Sequence, residues 1–594
     1  MTKKYFITTA MDYVNAPPHI GHAFEKVLAD AINRWNILKG KKTYFLTGTD
    51  ENAQKNAEVA KEKGEDVQKF VDKNSKIFVE LCEKLNINFD RFIKTTEKQH
   101  KAKAQEIFKQ VYDKGEIYKG KYKGNYCTGC ESFITEKDLV DGKCPEHNKK
   151  PETLSEDAYF FKLSKYKNKI IKYVEKNVVP ESRKNEILSR LKNEELRDLC
   201  VSRTNLDWGI DSPIDKEFKI YVWFDALINY ISGANGNWPA DLHIVGKGIN
   251  WFHSVIWPAM LMSAKYDLPG KILVHGYLNI KGKKISKSLG NTIDPIKLIE
   301  KYSADSVRYA LLKCSVFEDS DFTEEIVIKR NNELANKLGN LVSRTTSLIE
   351  KFGIEKTKNT LEKKLKLKQI EKLIENFELD KALNEIFAFI DICNEYIQAK
   401  KPWETKDKKV LYEVAESIKE IARLLSPFIP ETAEKITKIF AAKKITKAPV
   451  LFEKIEETKK EVKQEKKEEK GPTLEDYKKL DLRVAEIKKV EEIKGADKLY
   501  KLSLDVGELG ERTICAGIKE YYKAEDLVGK KMIYFSNLKP RTMRGIESQG
   551  MLLAASTPDH GEVVLIKPSE NVGNGERVEF AECKIIKVLN SSKK

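Results

Sequence analysis

Residues 3–35 read KKYFITTAMDYVNAPPHIGHAFEKVLADAINRW. The first eight form a β-prone run with Tyr5, Phe6 and Ile7 at its centre, and read as a buried strand. Pro17 and Pro18 then break the chain. After them Ile20, Phe24, Val27, Leu28, Ala31, Ile32 and Trp35 recur at helical spacing. A second β-prone run, TYFLTGTDEN, occupies 43–52. Strand, turn, helix, strand opens a doubly wound, Rossmann-like α/β sheet. Ligands of such sheets sit beyond the carboxyl ends of the strands, and His19-Ile20-Gly21-His22 stands there. A helix N-terminus favours phosphate through its free N–H groups and its dipole, and imidazole N–H groups add donors. Gly21 has no side chain, so a flat ring can come close to the backbone.

Similar apolar runs return at KIYVWFDALINYI (219–231), LHIVGKG (242–248) and KILVHGYL (271–278). From about Asp321 the pattern becomes helical. NNELANKLGNLVSRTTSLI places Leu334, Leu338, Leu341 and Leu348 at bundle spacing, and this patterning continues to about Ala442. The stretch EETKKEVKQEKKEEKGPT is charged and almost free of apolar residues, which reads as a linker. Beyond it short β-prone runs alternate with Gly-bearing turns, as in a small barrel of the OB type. The expected organisation is a catalytic domain over 1–320 with an insertion at about 115–220, a helical domain over 321–450, a linker over 451–472 and a β-barrel over 473–594.

The chain has 594 residues, 107 Lys and Arg against 91 Asp and Glu, and a formal charge of +16. That length holds several domains, and the basic excess suits a polyanionic partner. The N-terminal residues lack the apolar run of a signal peptide, and no apolar stretch approaches the ~20 residues of a membrane span. Nine cysteines in a chain of this size are not a disulfide scaffold, so a reducing, cytoplasmic setting is expected.

A second motif, IKGKKISKSLGN at 280–291, follows KILVHGYL. Lys283, Lys284 and Lys287 lie between Gly282 and Gly290, with Ser286 and Ser288 as further donors. A mobile loop of cations can close on a polyphosphate and neutralise charge as it builds in a transition state. In this order the two motifs resemble the HIGH and KMSKS signatures of the class I aminoacyl-tRNA synthetases. The first is complete. In the second, Ile285 replaces the usual methionine, a packing position that tolerates the exchange. The resemblance assigns catalysis to His19, His22, Lys284 and Lys287, and ATP binding to His19, Gly21, His22, Ser286 and Lys287.

The chain is most similar to the methionyl-tRNA synthetase family, over nearly its whole length. YVWFDALINY (221–230) and GKGINWFHSVIWPAML (246–261) resemble that family's pocket segments. The resemblance places Met11, Asp50, Trp223, Ala226, Tyr230, Ile249 and His253 around methionine. Aromatic and apolar walls suit a flexible thioether, and a carboxylate suits the substrate amine. Four positions depart from the family. Gly248 stands where an aspartate is usual, which removes an expected ribose contact. Asn52 replaces a histidine, Leu227 replaces a proline, and Asp12 is unusual beside the first motif. The span from His22 to Lys284, insertion included, is too short for the editing domains of the leucyl, isoleucyl and valyl enzymes.

Within YCTGCESFITEKDLVDGKCPEH (126–147), Cys127 and Cys130 pair with Cys144 and His147 at the spacing of two zinc knuckles. Four protein ligands leave no open position, so the expected Zn²⁺ is structural, one per chain. LGNLVSR and AKKPWE resemble anticodon-reading segments, carried here by Asn340, Arg344 and Trp403. LKPRTMRGIESQGMLLAA (538–555) resembles the tRNA-binding module appended to bacterial members, often a dimer contact. The implied reaction consumes methionine and Mg-ATP and charges initiator and elongator tRNA for methionine, with no membrane partner and as a homodimer.

Overall fold

The structure is a computed structural model. It describes residues 4–128, 132–134, 136–140, 142–145, 149–204, 206–280, 282–285, 292–456, 479–493, 496–543, 545–557, 562–568 and 572–578, with backbone alone at 132, 133, 137, 283 and 284. The chain divides into two compact units, 1–457 and 458–594.

The first unit is built on a six-stranded parallel sheet. Its strands are β1 (Tyr5–Tyr13), β2 (Thr43–Asp50), β3 (Arg91–Lys94), β4 (Val178–Val179), β5 (Leu242–Gly246) and β6 (Lys271–His275), in the order β3-β2-β1-β5-β6-β4. Helix α1 (Ile20–Leu38) follows β1, and helix α2 (Val222–Ser232) precedes β5. Both faces of the sheet are covered, so the strands carry apolar residues on both sides. Ile7, Phe45, Ile244 and Leu273 face a core shared with α1 and the helical region, whereas Phe6, Leu46, Val245 and Val274 face α2 and the helix Trp257–Ala264. The chain leaves β1 in one direction for β2 and β3, and β5 and β6 lie on the other side. The carboxyl ends of β1 and β5 therefore flank the switch-point crevice.

The apolar runs at 242–248 and 271–278 supply β5 and β6. The run at 219–231 does not supply a strand of this sheet. It gives a three-residue strand, Phe218–Ile220, paired antiparallel with Ser202–Thr204, and then turns into α2. A helix buried on nearly every side has no polar face, so its sequence is as uniformly apolar as a buried strand.

The register between β1 and β2 slips between Thr8 and Met11. Two charged side chains of α1 satisfy the backbone that this bulge releases. Ala10 N–H donates to Glu25 Oε1 at 3.0 Å, and Lys26 Nζ donates to the Ala10 carbonyl at 3.1 Å. Lys26 also reaches Thr9 Oγ1 at 3.0 Å and Asp12 Oδ2 at 3.0 Å while only 2% exposed. Burial works against the Lys26 ammonium, but Asp12 and Glu25 outweigh it and hold its pKa above the usual lysine range. Burial also pushes the Asp12 carboxyl up to about 6. Glu25 Oε2 faces His275 Nε2 at 3.0 Å, at the end of β6.

Further along α1, Asp30 pairs with Arg308 at 2.6 Å, both fully buried. Arg308 donates from Nε, Nη1 and Nη2 to the carbonyls of Phe428, Leu85 and Pro427. This joins the sheet domain to the helices Glu324–Leu334, Asn340–Phe352, Leu379–Lys400, Lys408–Leu425 and Pro430–Ala441. The expected start of the linker is corrected here. Leu451 and Ile455 pack on the helical core, Phe452 is buried in it, and Asn331 and Asn332 bond the backbone of Glu453 and Ile455. Three apolar residues dock this stretch before the charged run begins. Residues 457–478 lie outside the described residues.

Within the insertion, Ser132–Ile134, Ile117–Cys127, Glu152–Phe161 and Leu199–Cys200 form an antiparallel sheet in that order. In the second unit five antiparallel strands run in the order Glu511–Ala516, Tyr500–Asp505, Leu482–Glu492, Lys531–Phe535, Met551–Leu552. Gln549 N–H donates to the Thr513 carbonyl at 2.8 Å and Cys515 N–H to Ser548 Oγ at 3.1 Å, which curls the sheet into a barrel.

The buried cluster yields a stability test. Lys26→Met leaves Asp12 and Glu25 buried without their ammonium and should cost about 3–5 kcal/mol in urea unfolding. Adding Asp12→Leu removes the orphaned carboxylate and should recover much of that loss. A single Lys26→Met variant within about 1 kcal/mol of the parent would contradict a structural role for the cluster.

Candidate active site

His19 is the N-cap of α1. Its Nδ1 accepts the Gly21 N–H at 3.1 Å, and His22 Nδ1 accepts the His19 N–H at 3.0 Å. The two rings stack at 3.8 Å. An Nδ1 that accepts cannot carry the proton, so both rings are neutral with their N–H at Nε2. Two fixed donors therefore crown a helix N-terminus whose first turn holds no acidic residue. The ring that approaches Gly21 is that of His19. A Cβ at 21 would stand 3.0 Å from His19 Cε1 and 3.1 Å from its Nδ1.

The strand Leu278–Ile280 pairs antiparallel with Lys283–Lys284. Gly282 makes the turn at φ +69°, and its N–H donates to Asp321 Oδ1 at 2.8 Å. Ile285 packs against the apolar core. Ser286 and Lys287 lie outside the described residues, as does the Lys284 side chain. The chain re-emerges at Thr292, and the Ile293 carbonyl accepts the N–H of Ile20 at 3.1 Å. The lysine loop thus ends on the first turn of the helix that carries the histidines.

Met11, Asp50, Trp223, Ala226, Tyr230, Ile249 and His253 all line one cavity of about 20 Å³. They come from the carboxyl ends of β1 and β2, from α2, and from the turn after β5. Asp50 Oδ1 accepts Thr95 Oγ1 at 3.0 Å and the Asn52 N–H at 3.2 Å, which fixes the carboxylate. Asn52 is itself buried and donates to Asp225 Oδ2 at 3.2 Å and to the Thr95 carbonyl at 3.0 Å. Burial drives the Asp225 carboxyl well above the usual range. Leu227 fills the wall as a buried aliphatic residue. Trp223 stacks on Phe252 at 3.8 Å and meets Tyr13 edge-on at 6.1 Å.

His253 Nδ1–H donates to the Ile249 carbonyl at 3.0 Å, so Nε2 accepts the Tyr230 hydroxyl at 2.8 Å. Burial lowers the His253 pKa to about 4. The π-turn Phe252–Ile256 aims these side chains inward, a common device at functional sites. Sequence reasoning missed Phe252 and Tyr13. Phe252 is three residues after Ile249 and shares its helical face. Tyr13 is two after Met11, on the same side of an extended strand.

A wider cavity of about 1100 Å³ adjoins the first across Tyr13, Trp223 and Ile249, and is also lined by His22, Gly248 and Tyr277.

In the insertion, Cys127 and Cys144 are 4% and 1% exposed. Cys127, at the end of its strand, pairs across from Ser132. Cys144 N–H donates to the Lys149 carbonyl at 2.9 Å. Cys130 and His147 lie outside the described residues, and among the described residues no group of three or more His, Cys, Asp or Glu is placed to hold a metal.

In the helical region, Asn340 and Arg344 stand one turn apart on the helix Asn340–Phe352, and Arg344 reaches Gln398 on the neighbouring helix at 3.5 Å. Trp403 lies just beyond that neighbour and is 36% exposed, so it is not a core residue. Lys539 and Arg541 are exposed on the barrel, and Arg544 lies outside the described residues. No helix among the described residues is long and apolar enough to cross a membrane.

A parallel sheet with stacked histidine donors at its switch point, and a lysine loop returning to the same helix turn, defines the catalytic domain of a class I aminoacyl-tRNA synthetase. The family model for class I (M) tRNA synthetases matches residues 5–150 and 139–346. Models for the anticodon-binding domain of tRNA ligases and for a putative tRNA-binding domain match 362–504 and 482–577. A methionine–tRNA ligase of Clostridium tetani is 40% identical over 97% of this chain and 99% of its own. One from Thermotoga maritima is 39% identical over 94% and 97%. A solved Mycobacterium tuberculosis methionyl-tRNA synthetase in complex with methionyl-adenylate aligns with a TM-score of 0.70 at 35% identity, over 76% of this chain and 100% of that one. The chain belongs to the methionyl-tRNA synthetase family.

With its pKa near 4, the His253 ring is neutral throughout pH 5.5–8. The KM for methionine should therefore show no inflection near the ordinary histidine midpoint of about 6.5. An inflection there that His253→Gln removes would contradict the hydrogen-bond assignment.

Proposed function

We propose that this chain joins methionine to its tRNA through the residues described above. A methionine carboxylate oxygen attacks the α-phosphorus of Mg-ATP, the bond to the β-phosphate oxygen breaks, and pyrophosphate leaves. The terminal ribose hydroxyl of initiator or elongator tRNA then attacks the methionyl carbonyl, and AMP leaves. No side chain forms a covalent intermediate. Catalysis is positioning plus electrostatic stabilisation of the phosphates.

The observation that carries this reading is the convergence of seven side chains on one small cavity beside the histidine-capped helix. Asp50 pairs with the substrate ammonium. Met11, Trp223, Ala226, Tyr230, Ile249 and His253 hold the thioether. A space of about 20 Å³ fits about one water, so methionine enters by parting the Tyr13–Trp223–Phe252 aromatic wall. His19 and His22 donate from Nε2 to phosphate oxygens beside the backbone at Gly21. Ser286 and Lys287, with Lys284, close over the leaving pyrophosphate. A solved relative, 35% identical, is a complex with methionyl-adenylate, which supports this reading of the reaction.

Cys127, Cys130, Cys144 and His147 hold one structural Zn²⁺. The two described thiols fit it, being buried and one each from the two paired motifs. A bound zinc would cross-link those motifs and take no part in the chemistry. An unpaired anticodon base stacks on Trp403 while Asn340 and Arg344 bond base edges. The domains run 1–320, 321–456 and 473–594. The barrel adds tRNA affinity and a homodimer contact, and the enzyme works in the cytoplasm.

Lys287→Ala should slow single-turnover adenylate formation by roughly 10²–10³ with methionine affinity nearly unchanged. A parental rate in that variant would refute the loop assignment. Protein purified without added zinc should carry about one equivalent per chain, and Cys144→Ala should lose it. Stoichiometric zinc in Cys144→Ala would refute the ligand set.

A further inference from the structure

Behind the Asp50 carboxylate lies a buried ionisable pair that the reaction described above does not use. Asp225 stands on α2 beside the cavity residue Ala226, and His100 stands on the helix Lys98–Asp113. Both are 0% exposed. His100 Nε2 faces Asp225 Oδ1 at 3.5 Å, and among the described residues neither atom has a hydrogen-bond partner. A bridging water needs about two hydrogen-bond lengths, so none fits between them.

The other polar atoms of the pair fix its protons. Ser232 Oγ lies 2.8 Å from His100 Nδ1 and donates its only proton to the Asn229 carbonyl at 3.4 Å. His100 Nδ1 therefore carries a proton and donates it to Ser232. Asn52 Nδ2 donates one hydrogen to Asp225 Oδ2 at 3.2 Å and the other to the Thr95 carbonyl at 3.0 Å. That leaves Nε2 and Oδ1 facing each other. Two bare acceptors repel, so one proton belongs between them. It makes either an imidazolium beside a carboxylate or a neutral ring beside a carboxylic acid. Full burial favours the neutral form, because a single contact at 3.5 Å does not recover the desolvation of two charges. The nearest outside charges are Glu97, which favours a charged ring, and Lys101, which favours a charged carboxylate. Burial outweighs both, taking the ring down to about 4 and the carboxyl well above the usual range.

Asn52 links this pair to the substrate site. Its side chain holds Asp225 and Thr95, while its N–H and Thr95 Oγ1 hold Asp50 Oδ1 at 3.2 and 3.0 Å. An ionised Asp225 would set a second carboxylate on the same asparagine, competing with Asp50 for one ammonium. A neutral Asp225 still accepts from Asn52 and removes that rival.

We propose that Asp225 carries a proton directed at His100 Nε2, and that this neutral pair acts through Asn52 to position Asp50 for the substrate ammonium. Asp225, His100 and Asn52 are positioning residues, and none of them lines the methionine cavity. The inference rests on the ammonium contact of Asp50 proposed above.

Infrared difference spectra of the folded enzyme test the proton. At about pH 7.5 exposed carboxyls are ionised, so Asp225→Asn should remove a protonated-carboxyl C=O band from the parent spectrum. Methionine-dependent pyrophosphate exchange tests the positioning. Asp225→Leu should raise the KM for methionine by about tenfold, the effect of one lost buried hydrogen bond, and leave the KM for ATP near parental. Asp225→Asn keeps an acceptor for Asn52 and a donor for His100 without a charge, and should recover most of that loss. His100→Leu should raise the same KM. An unchanged carboxyl spectrum in Asp225→Asn would overturn the proposal. So would an Asp225→Asn enzyme with a methionine KM as poor as that of Asp225→Leu, because the site would then need the charge. A parental methionine KM in Asp50→Asn would overturn the ammonium contact first, and this proposal with it.

Discussion

A single buried ammonium organises this active site. Lys26 Nζ sits within 3.3 Å of Asp12, Glu25, Thr9 Oγ1 and the Ala10 carbonyl. Those partners are the bulged end of β1 and the adjoining residue of α1. The bulge puts Met11 and Tyr13 in the wall of the small cavity, and the ammonium holds it against regular pairing. Buried ion pairs rarely add net stability, because desolvation offsets the attraction, but they penalise every register that would break them. Here the register at stake relates the histidine turn to the small cavity lined by Met11, Asp50 and Trp223.

The same helix carries that constraint outward. Glu25 reaches His275 at the end of β6, two residues before Tyr277. Asp30 reaches Arg308, whose donors end on carbonyls of the helical region. The N-terminal turn of α1 receives the far end of the lysine loop through Ile20 and Ile293. The stacked histidines, the two adjoining cavities and the helical region are therefore referenced to one rigid element. A reaction that works by positioning needs such a common frame.

Much of this was legible in the sequence. The change of apolar period across Pro17-Pro18 marks the strand and helix that open the sheet, and the two signature motifs mark its business end. Signals failed where structure depends on distant partners. Asp12 and Asn52 looked like isolated departures. One proves to be the counter-ion of Lys26, and the other a bridge from Asp225, 173 residues away, to Thr95. The run at 219–231 was ambiguous because complete burial erases the polar face that distinguishes a helix. The docked segment at 451–456 was hidden by the charges around its three apolar residues. Trp223 and Trp257 look alike in sequence, yet one lines the cavity and the other is core, a distinction set by β5 and the π-turn.

The cavity that these constraints build is neutral and aromatic, with one fixed carboxylate. That suits an unbranched thioether carrying an ammonium. The direct test is pyrophosphate exchange into ATP, driven in turn by each of the twenty amino acids. Methionine should support exchange with a kcat/KM well above that of every other amino acid. Faster exchange with a different amino acid, or none with methionine, would contradict the account.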